Sequence, residues 1–137
     1  MGLKRYAFPY RREHSALVGE IHRPVATISM RSKDRRWVSF MLYADSGADI
    51  TLLPKSACEG LGYLLADGKK GHVGGIAQGR IRVYIHEIDM KLGEETFKAK
   101  VAFADTDAVP PLLGRTDIFD RFKVCYDNKR KETVFTT

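Results

Sequence analysis

The segment Tyr43-Ala-Asp-Ser-Gly-Ala-Asp-Ile-Thr-Leu-Leu-Pro54 places a short acidic turn between two apolar runs. The residues before the turn, 37–44, are almost all apolar, which predicts a strand that is buried on both faces and ends at Asp45. Burying an ionised carboxylate costs several kcal/mol unless it is paired or protonated, so such an aspartate is more often functional than structural. The alternative is an ordinary Asp-Ser-Gly turn, in which Gly47 lets the backbone bend tightly.

The length of 137 residues predicts one domain with a modest core. No apolar stretch approaches the ~20 residues that a membrane span needs, and the basic N-terminus has neither the apolar core of a signal peptide nor a myristoylation signal. These features predict a soluble, cytoplasmic protein without a membrane partner. Cys58 and Cys125 are the two cysteines, and their number and spacing predict free structural thiols.

The formal charge of +6 is concentrated in residues 1–36, which hold nine Lys/Arg and three Asp/Glu. The remaining chain carries fourteen residues of each sign and is neutral. A basic segment of this kind can contact nucleic acid, but the sequence contains no DNA- or RNA-binding motif, so a solvated or interface-lining segment is favoured. We therefore divide the single domain into a basic N-terminal segment with strands, 1–36, and a main part, 37–137.

Hydrophobic residues recur with a period of two along most of the chain, which is typical of half-buried strands. The predicted strands with this pattern cover residues 26–30, 80–85, 88–92 and 97–103. Apolar parity changes between Ile85 and Ile88, so we expect a bulge or sharp bend near residue 86. Gly93-Glu94 predicts a hairpin turn.

Two short helices are predicted, over 54–61 and over 116–122, the second capped by Thr116 or Asp117. A C-terminal hairpin is expected from 122–126 and 132–135. The fold class is therefore all-β, mostly β with one or two short helices.

Three motifs follow one another in a specific order: the apolar run into Asp45-Ser-Gly-Ala-Asp49, a Gly-rich hairpin over 71–79, and Val109-Pro-Pro-Leu-Leu-Gly-Arg115. Over about residues 37–126 this order resembles the retropepsins, the retroviral-type aspartic proteases and their cellular relatives. The resemblance implies a closed β-barrel that forms half of an acid protease, with the active site at a homodimer interface. It also implies that the last motif packs a helix behind the catalytic loop.

The resemblance implies roles for the residues of the turn. Asp45 matches the catalytic aspartate, and Ser46 matches the position whose hydroxyl bonds across the twofold axis. Gly47 and Ala48 match small positions that let the two catalytic loops meet, and Ala48 also borders the substrate. Asp49 matches the residue that holds the substrate main chain and pairs with the arginine of the Gly-Arg element.

That arginine is Arg115, to which the resemblance gives a structural supporting role. The resemblance implies that a flexible flap closes over the substrate and that its tip is formed by Gly74, Gly75 and Ile76. It implies that further side chains line the substrate pockets, namely Leu52, Val109, Pro110 and Leu112. Tyr43 departs from the smaller aliphatic residue common in the family, and the flap tip lies several residues farther from the turn than in compact viral enzymes.

Peptide hydrolysis by this route needs two carboxylates that share one proton, of which one activates a water and the other polarises the scissile carbonyl. The chain has one Asp-Ser-Gly turn, so the second carboxylate is expected from a second copy of the chain. The predicted function is an aspartic endopeptidase acting on polypeptides. The alternative is a non-catalytic dimeric module that uses the groove to bind an extended peptide, and nucleic-acid binding is a weaker third possibility.

No cofactor or metal is expected, because the four histidines are scattered without ligand spacing. For the homodimer, stable interfaces usually bury more than ~1,000 Å², which the catalytic turn cannot supply by itself. In the retropepsins the chain termini supply interleaved strands, and the matching candidate is Glu132-Thr-Val-Phe-Thr136. The alternative is that this segment is an edge strand of the chain's own sheet.

Overall fold

The structure is a computed structural model that describes residues 2–75 and 79–137. In these ranges the chain forms twelve strands, one α-helix and two single 3-10 turns, so the predicted all-β class is confirmed. The strands are β1 (Arg5–Pro9), β2 (Arg11–Ser15), β3 (Gly19–Arg23), β4 (Val25–Arg31), β5 (Trp37–Ala44), β6 (Thr51–Leu53), β7 (Lys69–Gly75), β8 (Gly79–Leu92), β9 (Glu95–Ala104), β10 (Leu112–Leu113), β11 (Lys123–Asp127) and β12 (Glu132–Thr136). The helix α1 covers Lys55–Gly60, and the 3-10 turns cover Leu65–Asp67 and Phe119–Arg121.

The main sheet of the described residues has seven strands in the order β4-β5-β10-β6-β9-β8-β7. A further pairing of β4 with β8, through Ser29 with Lys91 and Met30 with Met90, links the first strand of this order to the sixth. β10 runs parallel to β5 and antiparallel to β6, so it lies between the two strands that flank the acidic turn. This arrangement fixes the turn from both sides.

Burial along β5 differs from the expectation that both of its faces are buried. Leu42 and Ala44 are buried, but Trp37 is 37% exposed and Met41 is 49% exposed. The outer face of the first half of β5 borders solvent, where the ring of Trp37 lies under the guanidinium of Arg31 at 4.8 Å. The prediction that both faces of β5 are buried was therefore wrong for the part from Trp37 to Met41 and right for the last residues before the turn.

The long strand β8 runs without a bulge. Its register with β9 is continuous from Val83 opposite Ala104 to Leu92 opposite Glu95, so the bulge expected near residue 86 is wrong, and the alternative of a sharp bend there stays a prediction. Parity changes because the two halves of the strand bury opposite faces. Val83 packs with the smaller cluster around Leu52, whereas Ile88 and the two alternate residues after it face the main core. The turn at 93–94 between β8 and β9 is confirmed.

The helix predicted over 54–61 is confirmed as α1, which begins after Pro54 and ends at Gly60. The helix predicted over 116–122 is reduced to the 3-10 turn Phe119–Arg121. Asp117 has a φ of 65°, a left-handed conformation that interrupts a right-handed helix. Its carboxylate accepts the backbone N–H of Lys100 at 3.0 Å and caps no helix.

The C-terminal hairpin of β11 and β12 is confirmed, but its position corrects the expected dimer strand. β12 is the middle strand of a three-stranded sheet, with β1 on one edge and β11 on the other. Phe135 is fully buried, and its ring packs edge-on against three other phenylalanines. Because both hydrogen-bonding edges are occupied within the chain, the prediction that residues 132–136 pair with a second copy is wrong. The alternative was right that this segment belongs to the chain's own sheet, but it is the middle strand and not an edge.

The basic segment 1–36 contributes strands to all three sheets of the described chain. β1 joins the C-terminal sheet, β4 joins the main sheet, and β2 with β3 forms a separate two-stranded hairpin. The hairpin tip carries two apolar side chains in solvent, Leu17 at 90% and Val18 at 68% exposure. No helix in the described residues has the length and apolar character needed to cross a membrane.

Candidate active site

The acidic turn begins where β5 leaves the sheet beside β10. The N–H of Asp45 donates to the carbonyl of Leu113 at 3.0 Å, and the N–H of Ala48 donates to the carbonyl of Asp45 at 3.1 Å. The carboxylate of Asp45 accepts the N–H of Gly47 at 2.9 Å. Asp45 is half-buried in the single chain, and Ser46 is exposed. The expected deep burial of the aspartate is therefore wrong for one chain, because the turn projects beyond the end of the strand.

Arg115 holds the far side of the turn, as expected. Its Nη1 donates to the carbonyl of Ser46 at 2.6 Å, and its Nη2 forms an ion pair with the carboxylate of Asp49. The side chain of Asp49 is 87% exposed, so this pair adds little stability on its own. Its effect is geometric, since one guanidinium fixes two points of the same loop. Backbone bonds from Arg115 to Ala48 (3.0 Å) and from Thr116 to Asp49 (2.9 Å) complete the support.

Gly114 permits this close approach. A Cβ at this position would lie 2.4 Å from the carbonyl carbon of Ile50 and 2.8 Å from the nitrogen of Thr51. The N–H of Gly114 donates to the buried hydroxyl of Thr51 at 3.0 Å. The Gly-Arg element therefore presses its backbone directly against the strand that follows the turn, which leaves no room for a side chain.

A groove of about 650 Å³ lies between the turn and the hairpin of β7 and β8. It brings together many of the residues expected to bind substrate, namely Asp45, Gly47, Ala48, Asp49, Leu52, Gly74 and Leu112. Val109 is partly buried against the cluster that contains Leu52 and Val83. Gly75 ends β7 opposite Gly79, and Ile76 lies outside the described residues.

Gly74 does not have the special backbone conformation expected of a flap-tip glycine. It lies in the regular ladder opposite Arg80, and a Cβ there would meet nothing within 4 Å. The glycine with a left-handed conformation in this hairpin is Gly79, with φ of 71°. The need for glycine therefore falls on the β8 side of the hairpin, a position that the sequence analysis did not single out.

A second cavity of about 460 Å³ lies on the other side of Asp45. Its lining combines two expected pocket residues with residues of the N-terminal segment, namely Glu13, Arg23, Pro24, Tyr43, Ala44, Asp45, Pro110 and Leu112. The hydroxyl of Tyr43 donates to Glu13 at 2.7 Å, and this bond is the main cause that raises the pKa of Tyr43. Sequence reasoning missed Glu13 and Arg23, because nothing local indicates that a hairpin thirty residues earlier reaches the turn.

Tyr126 is a further contact that the sequence did not indicate. Its hydroxyl donates to the carbonyl of Ala44 at 2.9 Å, one residue before Asp45. Burial is the main cause that raises the pKa of Tyr126, so its hydroxyl stays a donor. Tyr126 thereby ties the end of β5 to β11.

The two thiols are both free, as predicted, and they differ in environment. Cys58 is fully buried in α1, and burial raises its pKa to about 11. Cys125 is exposed. In the described residues no group of three or more His, Cys, Asp or Glu side chains is arranged to hold a metal ion.

The turn, its arginine support and the overlying hairpin define a class: the chain has the fold of the retropepsin-like aspartic proteases. A retropepsin-like aspartic protease from Rickettsia conorii superposes with a TM-score of 0.64 at 18% identity over 98% of both chains. The EIAV protease in complex with the inhibitor HBY-793 gives a TM-score of 0.54 at 21% identity, over 80% of this chain and 93% of that chain. These likenesses confirm the fold that the motif order predicted.

Among curated proteins, the DNA damage-inducible protein 1 of Yarrowia lipolytica is 31% identical over 83 residues, which is 59% of this chain. The match covers 21% of that protein, so the chain spans about a fifth of the length of this relative. No protein-family model matches the chain.

Proposed function

We propose that the chain is an aspartic endopeptidase that hydrolyses peptide bonds with a water activated by two Asp45 carboxylates, one from each subunit of a homodimer. One carboxylate accepts a proton from the water, and the other, protonated, polarises the scissile carbonyl. The substrate is an extended polypeptide in the groove beneath the β7–β8 hairpin, which acts as a flap. We keep the expected cytoplasmic location as part of this proposal.

The observation that carries the proposal is that Asp45 borders both cavities and that, among the described residues, no cationic side chain pairs with it. Each of the two cavities that Asp45 borders has one further carboxylate in its lining. In the groove it is Asp49, which pairs with Arg115, and in the second cavity it is Glu13, which pairs with Arg23. Both of these carboxylates are already bound by a guanidinium, so the proposal uses neither of them as the partner of Asp45. In this proposal the second carboxylate of the mechanism comes from another copy of the chain.

The dimer interface in this proposal uses the catalytic turn and the β2–β3 hairpin. β12 is excluded because both of its edges are paired within the chain. The exposed residues of the turn supply too little area for a stable dimer. The hairpin tip offers the apolar side chains of Leu17 and Val18, which are 90% and 68% exposed. Ser15 and Gly19 at the ends of the turn supply its usual side-chain bond and left-handed conformation, so turn geometry does not require the side chains of Leu17 and Val18 to be apolar.

The catalytic part is tested with Asp45→Asn, which removes the ionisable group and changes little volume. We expect cleavage of an unfolded protein substrate to be lost while the dimer persists, and Asp120→Asn, an exposed aspartate, serves as the matched control. The wild-type rate should rise and then fall between acidic and neutral pH, because one carboxylate must be ionised and one protonated. Wild-type cleavage by Asp45→Asn would refute the mechanism.

Measuring peptide binding and peptide cleavage by the wild-type protein separates the enzyme from a non-catalytic binding module. A wild-type protein that binds extended peptides in a fluorescence assay but cleaves none at any pH would support the non-catalytic alternative. We expect both binding and cleavage.

The interface is tested by placing charges on the hairpin tip. Leu17→Asp combined with Val18→Asp should convert the dimer to a monomer and remove cleavage, as followed by light scattering across a concentration series. Leu64→Asp, at an apolar residue that is 66% exposed elsewhere, is the control and should leave the dimer intact. A double variant that remains dimeric and active would place the interface elsewhere.

A further inference from the structure

The peptide group at the end of β5 lies directly before the aspartate of the proposed reaction. Its carbonyl belongs to Ala44, which is buried, and its N–H belongs to Asp45. The N–H donates to the carbonyl of Leu113 at 3.0 Å. Because a peptide group is planar, the partners of its oxygen and of its nitrogen together fix the direction in which the backbone enters Asp45.

The neighbouring chain on the β4 side cannot supply the partner of this carbonyl. Val25 lies opposite Tyr43 in the antiparallel register, which places Pro24 opposite Ala44. The N–H of Ala44 donates to the carbonyl of Pro24 at 3.0 Å, and two residues paired in this way normally exchange two hydrogen bonds. Proline has no N–H to return, so this pair leaves the carbonyl of Ala44 without its usual ladder donor.

Tyr126 supplies the donor that the proline lacks. Its hydroxyl donates to the carbonyl of Ala44 at 2.9 Å, and it comes from β11, a strand of the separate three-stranded sheet. Burial is the main cause that raises the pKa of Tyr126, while hydrogen bonding from Ser46 lowers it and the charge of Asp45 raises it. The hydroxyl therefore lies close to the residues on both sides of Asp45. A buried carbonyl needs such a donor, because leaving it unpaired costs free energy.

We propose that Tyr126 is a positioning residue of the catalytic turn, required because Pro24 leaves the carbonyl before Asp45 without a backbone donor. The proposal rests on the proposed function. Tyr126 is not among the described residues that line the two cavities bordered by Asp45, so it acts through the backbone and not by contact with the substrate. With its hydroxyl in place, the peptide group before Asp45 is held at both ends, which keeps the carboxylate in the direction that the reaction needs.

The first test compares two tyrosines that make the same kind of bond. Tyr126→Phe removes the donor to Ala44. Tyr63→Phe is the matched control, because its hydroxyl also donates to a backbone carbonyl at 2.9 Å, that of Arg31. In Tyr126→Phe we expect kcat for peptide cleavage to fall about tenfold with KM unchanged, since a misdirected carboxylate slows the chemical step and leaves the groove intact. Tyr63→Phe should keep both wild-type constants. A wild-type kcat in Tyr126→Phe would overturn the proposal.

Pro24→Ala tests why the tyrosine is needed. Alanine has an N–H at the position opposite Ala44, and this N–H can donate to the carbonyl once the hydroxyl is gone. In a double-mutant cycle, the loss of kcat caused by Tyr126→Phe should therefore shrink from about tenfold to about twofold in the Pro24→Ala background. An equal loss in both backgrounds would overturn the proposed link between the proline and the tyrosine.

Hydrogen exchange of the Asp45 amide separates this proposal from the proposed function, because it can be measured by NMR without any cleavage. This amide shares its peptide group with the carbonyl of Ala44. Relative to amides of β9, which report loss of global stability, its exchange should be about fivefold faster in Tyr126→Phe and unchanged in Tyr63→Phe. If the wild type cleaves no peptide but this difference is found, the protease is refuted and the positioning of the turn by Tyr126 is retained. Equal relative exchange in Tyr126→Phe and the wild type would overturn the positioning role whether or not the wild type cleaves.

Discussion

Replacing Gly114 by alanine tests whether the Gly-Arg element is the rigid support of the turn. The new Cβ would lie 2.4 Å from the carbonyl carbon of Ile50 and 2.6 Å from its oxygen, and backbone atoms cannot rotate away as a side chain does. Ordinary contact at ~3.5 Å therefore requires the two segments to separate by about 1 Å. Overpacking of this kind costs ~1–3 kcal/mol, and a weakened bond from Gly114 to the hydroxyl of Thr51 adds ~1 kcal/mol or more.

A total of about 3 kcal/mol corresponds to a Tm decrease of about 10 °C for a chain of this size. Activity should fall further than stability does, because the displaced strand follows Asp49 directly and the ion pair with Arg115 is stretched. Calorimetry gives the Tm, and peptide cleavage at 25 °C, well below it, gives the effect on the site.

Gly60→Ala is the control for the loss of a glycine. Gly60 ends α1, and a Cβ there meets nothing within 4 Å, so its Tm should be unchanged or slightly raised. If Gly114→Ala has the same Tm and the same cleavage rate as the wild type, the Gly-Arg element is not the rigid support of the turn.

Three further outcomes are expected. Tyr126→Phe should lower stability by ~1 kcal/mol in urea and reduce kcat, because it removes the bond to the carbonyl of Ala44; unchanged values would make that bond incidental. Deleting residues 131–137 should abolish cooperative melting, since it removes the middle strand of a sheet, whereas a folded monomer would contradict that pairing. At pH 8.5 a thiol reagent should label Cys125 at once and the buried Cys58 only in denaturant, and rapid labelling of both would contradict the burial.

Local patterns predicted α1 and the strands β4, β5, β8, β9, β11 and β12, but they gave no bounds for β1, β2, β3, β6 and β10. β4 alternates as its residues predict, and α1 begins and ends beside Pro54 and Gly62. The parity change in β8 was detected, but periodicity reports only which face is buried. It does not tell a bulge from a regular strand that passes between two hydrophobic clusters, and the second explanation is the one the register supports.

The contacts of the site that were not predicted from the sequence have a common physical origin: they join parts of the chain that are far apart in the sequence. The pair of Asp49 and Arg115 was predicted, because both residues belong to motifs whose order along the chain resembles that of the retropepsins. The bond from Glu13 to Tyr43 has no such signal, since it depends on how a separate hairpin folds back. The assignment of residues 132–136 failed for the same reason, because the partner strand, β1, has no distinctive sequence.

The pairing of β1 with β12 also has a consequence for the rate of folding. Arg5 lies opposite Thr136 and Pro9 opposite Glu132, so this ladder closes a loop that contains nearly the whole chain. Contacts between such distant residues are formed slowly, because the entropy of closing the loop is lost before the contacts are gained. During synthesis β1 stays unpaired and accessible to other chains until β12 has emerged from the ribosome. We therefore expect refolding from denaturant to be limited by the docking of these two strands.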